Sequence, residues 1–336
     1  MDIFTQALLG GVLAQSVSNR SDKKIATVVG MSAGLLADAD ILISSSTDPL
    51  LNLEYHRHFS HSLLFIPLGA LIAFLLLLPF LRNKLSLKRL YLYCFIGYSM
   101  SGLLDACTSY GTHLLWPFSD ERIAWNVISI IDPIFSLILL ISLLIGLRIR
   151  SSREIVVGIL LALLYLGFGV IQKHRVETIA NDLILQKGHV SIKQIVKPTI
   201  GNLILWRHVY AYDGRLYVNA IRAGIFSEPK VYDGNSVKLV SLDKHFPGLD
   251  VESALYSDIK RFILFSDGYV AFDPSQPNVL GDIRYSMLPT SVRPLWGIVI
   301  DPEFPQQHAS YEFFRNNTKQ NRSQFFQMLF GSEIYK

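Results

Sequence analysis

The chain has 336 residues, 50% of them hydrophobic and only 17% charged, with a mean hydropathy of +0.33. That charge content lies below the roughly 25% usual for soluble domains, so membrane proteins are the leading class. A net charge of +4 gives no case for a nucleic-acid partner, and two cysteines, Cys94 and Cys107, exclude a disulfide framework or a cysteine-based zinc site.

Taken in chain order, apolar segments fall at about 3–17, 25–45, 62–81, 91–112, 127–147 and 155–172. The first has no basic region before it, and Arg20, Lys23 and Lys24 come after it. It therefore reads as a retained helix, short for a span, and not as a cleaved signal. With roughly 17–25 residues needed to cross a bilayer, these segments predict an α-helical multi-pass membrane bundle of five to six helices over 1–173. Basic residues collect in three places: the first loop, "RNKLSLKR" at 82–89 and "RIRSSR" at 148–153. Six spans place all three clusters in the cytoplasm and everything after 172, including Lys336, outside. The implied localisation is the cytoplasmic (inner) membrane of a bacterium.

Under that count the polar residues within the apolar segments share one depth near the outer interface. They are Asp38 and Asp40 at the end of the second segment, His61 at the start of the third, Asp105 in the fourth and Asp132 in the fifth. Ser101, Asp105, Thr108 and Thr112 recur at helical spacing, as do Ser129, Asp132 and Ser136. A carboxylate facing lipid is costly, so these stripes should face an internal cavity. Just before the third segment stands "EYHRHFSHS", with His56, His58 and His61 in six positions. The group reads either as a metal site or as an interfacial anchor. Asp38 and Asp40 are about 200° apart on an α-helix, so only one faces a site unless the helix breaks there. Asp132 precedes Pro133 and reads equally as a helix N-cap.

Residues 174–336 have a different pattern. "HVYAYDGRLYVNAI", "KVYDGNSVKLV" and "FILFSDGYVAF" each set Asp-Gly among β-prone residues, which predicts three hairpins. "DVESALYSDIKRF" and "SQFFQMLFG" read as helices. The expectation is a mainly antiparallel α+β domain on the outer, periplasmic side. Its five histidines have no ligand spacing.

Asp2-x-x-Thr5, Asp38-x-Asp40, "HRHFSHS", "SGLLDACTSYGTHLLWPFS" and "IIDPIF" occur in order over residues 1–150. Together they resemble the YdjM-like family of membrane-bound predicted metal-dependent hydrolases, itself thought to be distantly similar to zinc-dependent phospholipase C enzymes and single-strand nucleases. The resemblance implies metal ligands at Asp38, Asp40, His56, His61 and Asp105, with His58 incidental. This chain departs from the family's pattern at Gln6 and Ser101, where histidine is frequent, and at Ala37, where proline is usual. The first two changes remove two potential imidazole ligands.

The expected chemistry is metal-assisted hydrolysis. A divalent metal, zinc first, accepts imidazole and carboxylate and makes a water acidic enough to attack at neutral pH. Asp38, Asp105 or Asp132 would move protons, while Arg122 and His113 would hold a phosphate or line the entrance. Membrane lipids or another lipid-like or phosphorylated molecule would supply the ester or phosphodiester bond. The alternative is a transporter or lipid-handling protein whose acidic cavity takes a cation or proton. Apolar inner halves in the third, fourth and fifth segments favour a one-sided site.

Overall fold

The computed structural model describes residues 1–149, 152–315 and 318–333. Arg150 of the third basic cluster and the terminal Lys336 lie outside the described residues. The chain divides into two compact units. The first comprises Met1–Ile43, Tyr55–Ile171 and Ile200–Asn202, and the second comprises Ser44–Glu54, Gln172–Thr199 and Leu203–Lys336.

The first unit is helical. Its elements are α1 (Ile3–Ser16), α2 (Lys23–Leu36), α4 (Ile66–Leu81), α5 (Leu87–Ser99), α6 (Ser101–Ala106), α7 (Pro133–Ile149) and the start of α8 (Arg153–Gln186). A five-residue α3 (Leu51–Tyr55), all but its last residue in the second unit, precedes the histidine segment. Asp2 caps α1, its Oδ1 accepting from the Thr5 amide at 3.1 Å. Glycines let α1, α2 and α5 approach closely. A Cβ at Gly97 would stand 2.7 Å from both Cα and O of Gly30, so no larger residue fits without a shift. The core around them is built from Ala26, Val29, Ala33, Leu90 and Tyr93.

A bundle of five to six membrane helices is not what forms. Among the described residues two helices are long and apolar enough to cross a membrane, Lys23–Leu42 and Arg153–Gln186. A third counts only if Leu51–His61 and Ile66–Leu81, bent by 93°, make one span. Apolar composition overstated the rest because it ignored where helices stop. The first segment yields 14 helical residues, about 21 Å long at 1.5 Å per residue. The fourth breaks at Met100 and ends at Ala106, so Thr108 and Thr112 leave the helical stripe they were expected to share with Asp105. The fifth starts only at Pro133 and gives 17 residues.

The second unit carries two four-stranded antiparallel sheets. One has the order β1 (Lys193–Pro198), β2 (Leu205–Tyr212), β3 (Arg215–Arg222), β4 (Lys230–Lys238). The other has β5 (Val270–Asp273), β6 (Gln276–Asp282), β7 (Trp296–Val299), β8 (Ser310–Phe313). Among the described residues, α9 (Leu242–His245), α10 (Ala254–Phe265), α11 (Lys319–Phe330) and the end of α8 accompany them. The β2–β3 hairpin turns at Asp213–Gly214, both with positive φ, as the sequence predicts. The other two Asp-Gly pairs do not make hairpins. Asp233–Gly234 lies inside β4, where a side chain at 234 would collide with the carbonyl oxygens of Val218 and Thr290. Asp267–Gly268 turns the chain from α10 into β5.

Candidate metal centre

The centre is built where α2 gives way to a 3-10 turn, Ala37–Leu42. The break in the α-helix answers the problem of Asp38 and Asp40: both reach the same imidazole, from opposite sides. His61 Nδ1 lies 3.2 Å from Asp40 Oδ2 and 3.0 Å from Ser60 Oγ. Its Nε2 lies 3.3 Å from Asp38 Oδ1 and 3.0 Å from Asp105 Oδ2. His61, Asp40 and Asp105 have no exposed side-chain surface.

Asp40 does the positioning. Its Oδ1 meets His56 Nδ1 at 2.9 Å, while its Oδ2 accepts from the Arg57 amide at 2.8 Å and the Ser60 hydroxyl at 2.7 Å. With Asp40 behind Nδ1, a neutral His61 keeps its proton there and turns the Nε2 lone pair toward Asp38 and Asp105. Tyr98, from α5, donates its hydroxyl to the Ser60 carbonyl at 2.6 Å and fixes the segment from the other side. Arg57 holds a positive φ of 62°, an uncommon conformation for a residue with a side chain. It lets consecutive residues face different partners: His56 toward Asp40, and the Arg57 guanidinium toward Thr108 Oγ1 at 2.9 Å and Asp105 Oδ1 at 3.3 Å.

Asp105 is thus divided. Oδ1 is held by Arg57 and by the Met1 amino group, whereas Oδ2 faces His61. Asp105 Oδ2, both Asp38 carboxylate oxygens and His61 Nε2 are buried and make no hydrogen bond. One atom from each of these three residues lies within 4.8 Å of the others, a separation over which one ion can be shared. Buried acceptors without donors are rare, because each loses its hydration with nothing in return. Two carboxylates and an imidazole nitrogen fit a divalent cation: three protein ligands leave positions open, as catalytic sites require.

The other residues proposed from sequence are placed differently. His56 and Asp40 stand behind His61, away from the three converging atoms. Asp132 caps α7: Oδ1 accepts from the Ile134 and Phe135 amides at 3.1 and 3.0 Å, and Tyr165 donates to both oxygens at 3.0 and 2.9 Å. His58 and His113 lie ring against ring, centroids 4.4 Å apart. Burial, reinforced by His58 and Arg122, pushes His113 down to about 4, so it is neutral at physiological pH. Arg122 stands 5.1 Å above the Tyr110 ring, as does Arg57, and His56 meets the same ring edge-on at 5.2 Å. Arg57, Ser60 and Tyr98 were not singled out in the sequence.

Two apolar helices of membrane-spanning length, one of them ending in the aspartates of a buried histidine–aspartate group, point to a membrane protein with residues that could hold a cation. The YdjM inner membrane protein family model matches residues 1–176, just over half of the chain. The chain belongs to that family and is an inner membrane protein. No curated protein and no solved structure matches it. Gln6 Nε2 donates to the Ser101 carbonyl at 3.2 Å, both residues being buried.

Proposed function

We propose that the protein is a membrane-bound, metal-dependent hydrolase of ester or phosphodiester bonds in lipid-like substrates. One observation carries the reading: donor-free ligand atoms of Asp38, His61 and Asp105 converge inside the protein, with Asp40 orienting the imidazole. These three residues would hold the ion, which we take to be zinc. Bound there, a divalent cation supplies Lewis acidity and a more acidic water. Asp40, through His61 Nδ1, keeps the ring in one tautomer, and Arg57 holds the far oxygen of Asp105.

The substrate class rests on two neighbours. Ile41 and Leu42, next to Asp40, are 56% and 80% exposed and offer apolar contact. The Arg122 guanidinium on Tyr110 brings positive charge beside His56, which suits a phosphoryl group.

The centre belongs on the outer side. With the bent pair counted as one span, the three candidate spans each have a basic cluster at one end. These clusters hold Arg20, Lys23 and Lys24; Arg82, Lys84, Lys88 and Arg89; and Arg148 and Arg153. All three face the cytoplasm if the chain crosses three times. Asp38, Asp40 and His61 then lie at outer ends, and the second unit lies outside.

The test is elemental analysis of the purified protein together with hydrolysis of chromogenic ester and phosphodiester substrates. The reading predicts stoichiometric metal and an activity that Asp38→Asn and His61→Ala abolish. A well-folded protein that binds no divalent metal at micromolar concentration refutes it. An impermeant thiol reagent applied from outside should label Asp213→Cys and spare Lys84→Cys.

A further inference from the structure

Helix α8 has 34 residues, about 51 Å, so it is longer than the roughly 30 Å of bilayer hydrocarbon. Its apolar run occupies 155–171, and the polar sequence Gln172, Lys173, His174, Arg175 comes next. The headgroup level therefore falls at these four residues, and what the second unit attaches to them sits at that depth. Gln172 Nε2 donates to the Leu203 and Ala223 carbonyls at 3.0 and 2.8 Å. Arg175 donates to the Gly224 carbonyl at 3.2 Å. Those bonds fasten the base of the β3–β4 loop to the point where α8 leaves its apolar run.

The next two residues of that loop are Ile225, 52% exposed, and Phe226, 100% exposed. A phenylalanine in water with no contact on any side is a poor loop residue unless something apolar receives it. Arg222, at the base of the same loop, donates to the Leu329 carbonyl at 2.9 Å and to Ser227 Oγ at 2.7 Å. That contact brings the end of α11 alongside, where Phe330, 73% exposed, stacks with Phe326. Exposed aromatics on a loop bonded to Arg175, with Lys173 two residues before it on α8, have the composition of a membrane-interface anchor: rings among the acyl chains, cations at the headgroup level.

We propose that Ile225–Phe226, with Phe330 beside them, dip into the headgroup region of the membrane and fix the second unit to the lipid surface. The occupant is phospholipid rather than protein, because the loop is fastened at the depth where α8 meets the headgroups. The proposal is independent of the metal reading.

The test places a nitroxide at Phe226→Cys, at Phe330→Cys and, as a control at the opposite end of the same sheet, at Asp213→Cys. The full chain is reconstituted in nanodiscs of zwitterionic and anionic phosphatidyl lipids. Wild-type protein, whose Cys94 is buried, supplies the labelling blank. Dissolved oxygen concentrates in lipid and a hydrophilic nickel complex in water. Oxygen accessibility at 226 and 330 should exceed nickel accessibility several-fold, with the reverse at 213. Water-like readings at 226 and 330 overturn the proposal. Shielding from both reagents, in nanodiscs and in detergent alike, also overturns it, because a protein surface then covers the loop.

Discussion

If Asp38, His61 and Asp105 hold the proposed ion, its removal should destabilise the first unit by an amount the geometry bounds. Asp38, His61 and Asp105 present ligand atoms within 4.8 Å of one another. At an effective dielectric constant of about 20, two carboxylate charges at that separation repel by about 3 kcal/mol. A dication between them reverses the sign of that term. Mass action sets the observable part: free metal at a hundredfold excess over Kd stabilises by about 2.7 kcal/mol. For a unit of this size that corresponds to roughly 5–10 °C in thermal midpoint. A thermal scan of detergent-solubilised protein, with and without a strong chelator and then with zinc restored, measures it. Asp38→Asn and Asp105→Asn should each abolish the response, since an amide is a poor ligand. The response is the readout, not the absolute midpoint, because Asp105 also pairs with Arg57, and breaking that pair has its own penalty. Asp132→Asn should keep the full response: its carboxylate caps α7 and is bonded by Tyr165. Protein shown by elemental analysis to contain metal, yet unmoved by chelation, would refute the reasoning.

Three further outcomes are expected. Asp40→Asn should weaken metal binding by about 10–100-fold without abolishing it, as measured by competition with a chromogenic chelator, because Asp40 acts through His61 Nδ1. Gly97→Ala should destabilise the helical unit by about 1–3 kcal/mol, visible as a lower thermal midpoint, since its methyl group would press on the Gly30 backbone. His208, buried between strands and pushed down to about 3 mainly by burial, is neutral when folded. The unfolded chain binds its proton near pH 6.5, so this contribution to stability is complete above that pH. It falls by up to about 1.4 kcal/mol per pH unit between about pH 6 and 3. In urea titrations of the full chain at stepped pH, His208→Gln should flatten that slope.

The residue types at the centre were legible in the sequence; their division of labour was not. Spacing alone sets Asp38 and Asp40 on opposite faces of an α-helix, and only the 3-10 turn, a local break with no glycine or proline to announce it, lets both address one ring. The positive φ of Arg57 likewise belongs to a residue type that rarely adopts it, so no pattern rule would place the guanidinium on Asp105 between two histidines aimed elsewhere. Span counting failed for a related reason. Hydropathy registers composition, whereas a helix ends where a backbone group finds another partner, as at Asp132, whose side chain starts α7 several residues into an apolar stretch. The Asp-Gly signal failed at 233–234 because glycine was needed there for close passage under two carbonyls, a tertiary demand that reads in sequence like a turn. What sequence patterns register well is demand that is local in the chain, such as the Asp213–Gly214 hairpin. A centre assembled from a helix break, a strained loop and a short buried helix makes its demands between parts of the chain as far apart as Asp38 and Asp105. Its best sequence signature was therefore the charge itself: carboxylates and histidines in an apolar setting.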